Sequence, residues 1–269
     1  MSRLSDAMAD LYAVEQLAEK DTPVHRMHPL AKLLTALAFV VAVVSCGRYQ
    51  PLRLAPFTFY PVLLSAMADL PFGRLLRRAA LALPFAVVAG ASNLFFDTAP
   101  AAHLWGVPVS GGTLAFASVV LKAYLSVLAL LILTATTRLA DLSAQLVRLK
   151  VPPVMVTVLT MTYRYLSTLM EEASSMSAAY ALRSPYAKGV KLAHMGQFAG
   201  QLLIRSADRA ERVYAAMKLR GYAGPVPGGR GVPMGRKDWV YLIGVLAAVA
   251  AARLVDVPSA VGGLLGGMA

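Results

Sequence analysis

Two stretches of the 269-residue chain close in a similar way. AAYALRSP (178–185) and YAAMKLRGY (214–222) each carry tyrosine and alanine, then leucine, a lone arginine and a small residue, then a helix breaker. The two arginines, Arg183 and Arg220, stand 37 positions apart. A guanidinium stays charged throughout the physiological range and offers a rigid fork of donors, so its chemistry is anion recognition rather than proton transfer. An arginine in the last turn of a helix gains about 0.3–1 kcal/mol from the helix dipole, and one such end needs no other reason. Two matching ends on long apolar helices suit insertion into acidic grooves of a partner, with the small neighbouring residue permitting close approach.

Other chemistry finds less support. No Gly-x-x-x-x-Gly-Lys-Ser/Thr loop occurs, so the chain cannot cradle ATP phosphates in that manner, and any ATP hydrolysis belongs to separate subunits. The carboxylates are dispersed and no Ser/His/Asp set has an interpretable context, so the chain is expected to be non-catalytic and free of cofactors. His25 and His28 (HRMH) could pair as metal ligands, but without further ligands beside them they read as surface or interfacial histidines, and no metal site is expected. A single cysteine, Cys46, excludes an intrachain disulfide. Lys122 falls inside an apolar stretch and is a functional candidate on that ground. Snorkelling, or a span that begins later, explains it more simply. Asn93 and Asp97 read the same way, and GGLLGG (262–267) reads as a flexible tail.

The elements that carry these residues follow from composition. Hydrophobic residues make up 58% of the chain and charged ones 15%, with mean hydropathy +0.60. Soluble domains average about 25% charged, so an integral membrane protein is expected. Five segments are apolar enough to span: roughly 30–46, 52–70, 79–96, 114–136 and 238–257. Pro56, Pro61 and Pro84 interrupt the second and third. The acidic start, with Asp6, Asp10, Glu15, Glu19 and Asp21, has no apolar core and is not expected to be a secretory signal. Residues 136–238 hold 15 basic against six acidic residues, while the loop 97–112 has no lysine or arginine. Positive charge marks the cytoplasmic side, which puts the N-terminus and 136–238 there. The net charge of +12 therefore reads as topology, and nucleic acid is not expected as a partner.

The cytoplasmic stretch patterns as three amphipathic helices. In the first, TTRLADLSAQLVRLKVPP (136–153), Leu139, Leu142, Leu146 and Leu149 share a face opposite Arg138, Asp141, Gln145 and Arg148. The second, about 154–184, repeats Leu166, Met170, Ala173, Met176 and Tyr180, with Glu171 and Glu172 off that stripe and Pro185 as its stop. The third, about 197–220, aligns Leu203, Ala207, Ala210, Tyr214 and Met217 against Arg205, Asp208, Arg209 and Arg212. Gly221 and Pro225 end it. The expected organisation is an N-terminal cytoplasmic segment (1–29), a four-helix membrane region (30–136), a coupling-helix region (137–225), a last span (238–257) and a tail (258–269).

With HPLAKL (28–33), TTRLADLSAQLVRLKVPP, MTYRYLSTLMEE (161–172) and the two Leu-Arg-small ends in this order, most of the chain resembles the transmembrane coupling (T) component of energy-coupling factor ABC transporters. The resemblance is to the CbiQ-type branch serving cobalt or nickel. It implies an all-α integral membrane protein of about five transmembrane helices with a cytoplasmic platform of three amphipathic coupling helices. It also implies a multi-pass location in a bacterial-type inner membrane. Its partners would be two cytoplasmic ABC ATPase subunits, a membrane-embedded substrate-binding (S) subunit and the lipid bilayer. By resemblance, Leu182, Arg183 and Ser184, and Leu219, Arg220 and Gly221, contact the ATPases. The first end departs from the commoner Ala-Arg-Gly form. Met170, Met176, Tyr180, Tyr214 and Met217 would line the coupling-helix faces. A vitamin-type system, a self-contained secondary transporter or a membrane scaffold remain as other readings.

Overall fold

The computed structural model describes residues 17–49, 51–96, 100–104, 107–184, 189–222 and 234–254. Asp6, Asp10, Glu15, Asp97, Pro185, Pro225 and the tail 258–269 lie outside them. Among the described residues the elements are α1 (Pro29–Val44), a 3-10 helix (Pro51–Thr58), α2 (Phe59–Met67), α3 (Phe72–Ala80), α4 (Leu83–Phe96), β1 (Pro100–Leu104), β2 (Val107–Ser110), α5 (Gly111–Thr136), α6 (Leu139–Leu146), α7 (Pro153–Arg183), α8 (Leu192–Leu219) and α9 (Arg236–Leu254). The described residues are helical or irregular apart from one antiparallel hairpin, β1–β2, in the segment that lacks basic residues. Contacts divide it into two units, 139–222 and 17–138 with 234–254.

In the larger unit one helix, α5, has 26 residues and is apolar enough to cross a bilayer alone. At about 1.5 Å per residue it is about 39 Å long, more than a hydrocarbon core of about 30 Å. Two of the other expected spans come out differently. Segment 52–70 is not one helix: Pro56 lies inside the 3-10 turn and Pro61 in the first turn of the nine-residue α2. Pro56 removes a backbone donor and interrupts the ladder, whereas Pro61 sits in the first turn of a new helix, where its missing N–H costs no bond. Asp69 then stops α2 with φ 49°, and the Leu70 N–H bonds the Ser65 carbonyl. Segment 79–96 is a bent pair, with α3 at 49° to the helix that follows. α1 has 16 residues, and α9 has 19 with Arg236, Lys237 and Asp238 at one end and Arg253 at the other.

Short helices inside a membrane leave backbone groups that water cannot satisfy, and charged side chains take that role here. At the start of α1, His28 Nδ1 accepts the Leu30 N–H at 3.1 Å, with Pro29 in the first turn. Asp238, in the first turn of α9, accepts the Gly235 N–H at 2.8 Å through one oxygen and the His28 N–H at 2.9 Å through the other. The starts of α1 and α9 are thereby tied together. Buried Lys32 donates to the carbonyl of Thr136, the last residue of α5, at 2.7 Å. At the far end of α1, Lys122 Nζ donates to the carbonyls of Val44 (3.2 Å) and Cys46, and Arg253 donates to the Ser45 carbonyl at 2.9 Å. Lys122 thus caps a helix that ends beside it.

Two apolar clusters fill the interior. One joins Val24, Leu64, Ala68, Leu70, Leu75 and Ala79 to Leu128, Ile132 and Ala135 of α5. The other joins Phe39, Val43, Leu54 and Phe57 to Leu125 and Ala129, with Phe39 stacked on Tyr60 at 4.4 Å. Close packing of α4 on α5 relies on Gly90, where a Cβ would come within 3.0 Å of the Phe116 ring. Large apolar side chains also point outward, Phe85, Val88 and Phe59 among them, which suits a lipid-facing exterior and not an aqueous one.

His25, set beside His28 in the sequence, has separate work. Its Nε2 faces the carbonyls of Leu17 (3.0 Å) and Ala135 (3.4 Å) and so carries the proton, while Nδ1 accepts from Thr22 Oγ1 at 2.6 Å. Burial pushes its pKa below the usual histidine value, against the pull of the two carbonyls.

Candidate functional site

The smaller unit is organised by α7 and α8, of 31 and 28 residues. α6 leads into them. Lys150 (φ 65°) takes the left-handed conformation, the Val151 N–H bonds the Leu146 carbonyl, and Pro152–Pro153 starts α7. Ser143 Oγ of α6 lies 3.1 Å from Thr160 Oγ1 of α7. The leucine face expected on α6 is only partly inward. Leu142 is buried with Ser143 and Gln145, while Leu139 and Leu149 are exposed. Gln145, expected on the polar side, is inside because the helix docks on its 142–145 edge.

Residues late in α7 meet residues early in α8, so the two helices run antiparallel. Tyr180 faces His194 with ring centroids 6.0 Å apart. Glu172 accepts from Arg205 at 2.8 Å and from Arg209 at 3.5 Å. The Arg205 hydrogen bond holds the Glu172 carboxyl below the usual carboxylate range. Between the rest of the helices runs an open groove lined by Val158, Met161, Tyr165 and Leu169 opposite Val213, Tyr214 and Met217.

These contacts turn both helices relative to their expected phases. The inward positions of α7 are Tyr165, Leu169, Glu172, Ala173 and Ser177, with Met170, Met176 and Tyr180 half-buried at the margin and Leu166 outside. On α8 the least exposed positions are Leu202, Ser206, Arg209, Val213 and Met217. Leu203 and Tyr214 are exposed, although Tyr214 still edges the groove. Arg205 and Arg209, expected opposite the packing face, are the residues that hold Glu172. Nothing on α8 is fully buried, so the pair is held by this ion cluster and a thin apolar strip.

The two arginine ends differ in construction. α8 finishes in a Schellman motif: Gly221 has φ 82°, the Tyr222 N–H bonds the Met217 carbonyl at 3.0 Å, and the Gly221 N–H bonds that of Lys218 at 3.0 Å. Arg220 is the C-cap, and Tyr222 packs edge-on to Tyr214 at 6.5 Å. Glycine follows Arg220 because the motif needs a positive φ, which costs a side chain-bearing residue about 1 kcal/mol or more. α7 ends without that device; Ser184 caps it at φ −133°. The ends are alike in display. Leu182 is 86% exposed and Leu219 90%, and Arg183 and Arg220 are exposed beside them. Since the end of α7 adjoins the start of α8, the arginines lie roughly one length of α8 apart, about 40 Å at 1.5 Å per residue.

Residues 20–228 match the family described as CbiQ, cobalt transport protein. The chain belongs to this family. A CbiQ-family relative from Rhodobacter capsulatus, named cobalt transport protein CbiQ, is 34% identical over 93 residues. That alignment covers 34% of this chain and 38% of the relative's length. The CbiQ match runs from Lys20, across the bundle, through both arginine-ended helices. Among the described residues of this CbiQ-family chain, no three His, Cys, Asp or Glu side chains come together as a metal site. The polar residues that sequence reasoning missed are Glu172 as the bridge between α7 and α8, and Asp238 as a double cap. Asp238 stands three positions after Gly235, a spacing that signals a helix start.

Proposed function

We propose that this chain is the transmembrane coupling component of an ATP-driven importer of the energy-coupling factor type, taking up cobalt or nickel ions. Two cytoplasmic ATPase subunits each bind one arginine end: Leu182-Arg183-Ser184 on α7 and Leu219-Arg220-Gly221 on α8. ATP closes the ATPase pair, and its movement acts on the two gripped ends. The angle between α7 and α8 then changes, and the movement tilts a membrane-embedded substrate-binding subunit so that its ion reaches the cytoplasm. Such coupling requires the ends to bind the two ATPase states with different affinity. The multi-pass bundle lies in the cytoplasmic membrane with its N-terminus inside, and Met170, Met176, Tyr180, Tyr214 and Met217 edge the apolar face offered to the membrane partner.

The observation that carries this reading is the antiparallel pairing itself. Two exposed guanidinium groups about 40 Å apart on stiff stems suit two separate acidic pockets better than one. The secondary-transporter reading rested on Lys122, and that ammonium is occupied by the carbonyls of Val44 and Cys46. The family's cobalt description favours a metal ion over a vitamin.

Co-purification tests the proposal. The tagged chain should bring down two ATPase chains and a further membrane subunit. Arg220→Glu should cut ATPase recovery at least tenfold, because it sets like charge against the acidic pocket, while leaving insertion and melting unchanged. Undiminished ATPase association and uptake in that variant would overturn the proposal.

A further inference from the structure

α3 (FGRLLRRAA, 72–80) is a two-sided helix. Leu75 and Ala79 are buried in the cluster that contains Ile132 and Ala135, and Phe72 and Leu76 pack against it. Arg74 and Arg77 are exposed on the other side, with half-buried Arg78 beside them. Ala135 is the penultimate residue of α5, so α3 sits at the end of the spanning helix. A helix of about 39 Å exceeds a hydrocarbon core of about 30 Å, so an untilted α5 has its ends at the headgroup layers. α3 is bent 49° from the helix that follows it, so the two do not form one straight span. No Asp or Glu occurs between Asp69 and Asp97 in the sequence, and Asp69 is itself held by Lys20. The other basic residues near this end, Lys20, Arg26 and Arg138, are already paired with Asp69, Asp21 and Glu19, whereas no such pair involves Arg74 or Arg77 among the ion pairs of the described residues.

We propose that the arginine side of α3 is a binding site for the phosphate of an anionic glycerophospholipid in the leaflet where α5 ends. Arg74 and Arg77, one helical turn apart, donate to the headgroup, while Phe72 and Leu76 hold the other side of α3 against the bundle. The charge complementarity is one-sided, the face is at headgroup depth, and its opposite side is already fixed to the bundle. A lipid bound there braces α3 against α5. This inference depends only on the membrane reading, not on the coupling proposal.

The experiment uses the full chain in mixed micelles at about 0.1 M salt, with native mass spectrometry counting retained phosphatidylglycerol against phosphatidylcholine. The unaltered chain should retain phosphatidylglycerol preferentially. The double variant Arg74→Gln/Arg77→Gln should lose that preference by about tenfold, since each interfacial basic residue contributes several-fold. Arg74→Lys/Arg77→Lys keeps the charge and should keep the preference, which guards against a mere folding defect. Inorganic phosphate at the same concentration should not compete. The proposal fails if the glutamine variant keeps the preference, if the lysine variant loses it as fully, or if free phosphate displaces the lipid.

Discussion

Replacing Lys122 with methionine separates the two roles a lysine in an apolar helix can have. The substitution keeps a long stem of similar volume and removes the ammonium. Lys122 Nζ serves two carbonyls of the last turn of α1, those of Val44 and Cys46, while Arg253 holds the Ser45 carbonyl between them. A hydrogen bond from a charged donor contributes about 1.5–3 kcal/mol, and an orphaned carbonyl at membrane depth costs at least as much. The Lys122 head is only half-buried and the neighbouring Arg253 restrains the same turn, so the two bonds do not sum. The expected loss is about 2 kcal/mol. For a chain of this size that lowers the melting midpoint by about 4–8 °C in detergent. Lys122→Arg should keep most of the stability. Arg253→Met and Lys122→Met combined should depart from additivity by about 0.5 kcal/mol or more, since both act on one helix end. Uptake per folded molecule should be unchanged. A Lys122→Met protein that melts normally but no longer transports would refute the capping argument and return Lys122 to a transport pathway.

Gly221→Ala should strain the Schellman turn by about 1 kcal/mol, fray the last turn of α8 and speed its amide exchange, without the complete loss of ATPase contact expected from Arg220→Glu. For His25 the sign runs from a folded pKa lowered by burial. The neutral ring is fully favoured above the unfolded value of about 6.5, and its contribution is lost as pH falls through and below that value. Melting midpoints should therefore drop as pH falls below about 6.5, and His25→Gln, which keeps a donor for the Leu17 carbonyl, should flatten that drop. Glu172→Gln should loosen α7 against α8, seen as a broader distance distribution between spin labels at exposed positions 175 and 201. In the unaltered chain the same broadening should appear only in acid, below the ordinary carboxylate range of about 4.5, because Glu172 is held ionised by Arg205.

What the sequence disclosed depended on whether the signal was local. Helix ends were legible where a single residue type enforces them: Pro152–Pro153 opening α7, and Gly221 closing α8 one position after Arg220. The two arginine ends were therefore legible from residue types alone. The phase of α8 was not legible. Leu202, Leu203 and Ile204 are consecutive, so its apolar surface wraps too far round to point one way, and the inward side was chosen by Glu172, 33 positions upstream of Arg205. Composition likewise marked 52–70 as a span because hydropathy averages over residues and ignores which ones lack an N–H. Lys122 was ambiguous for a related reason. Its partners are backbone carbonyls 76 and 78 positions earlier, and a carbonyl carries no sequence signature at all. Segments 52–70 and 79–96 were read as straight for the same reason. Helices shorter than the bilayer become possible once lysine, arginine and aspartate side chains satisfy their ends, so in this chain part of the charge that marks topology also acts as a set of helix caps.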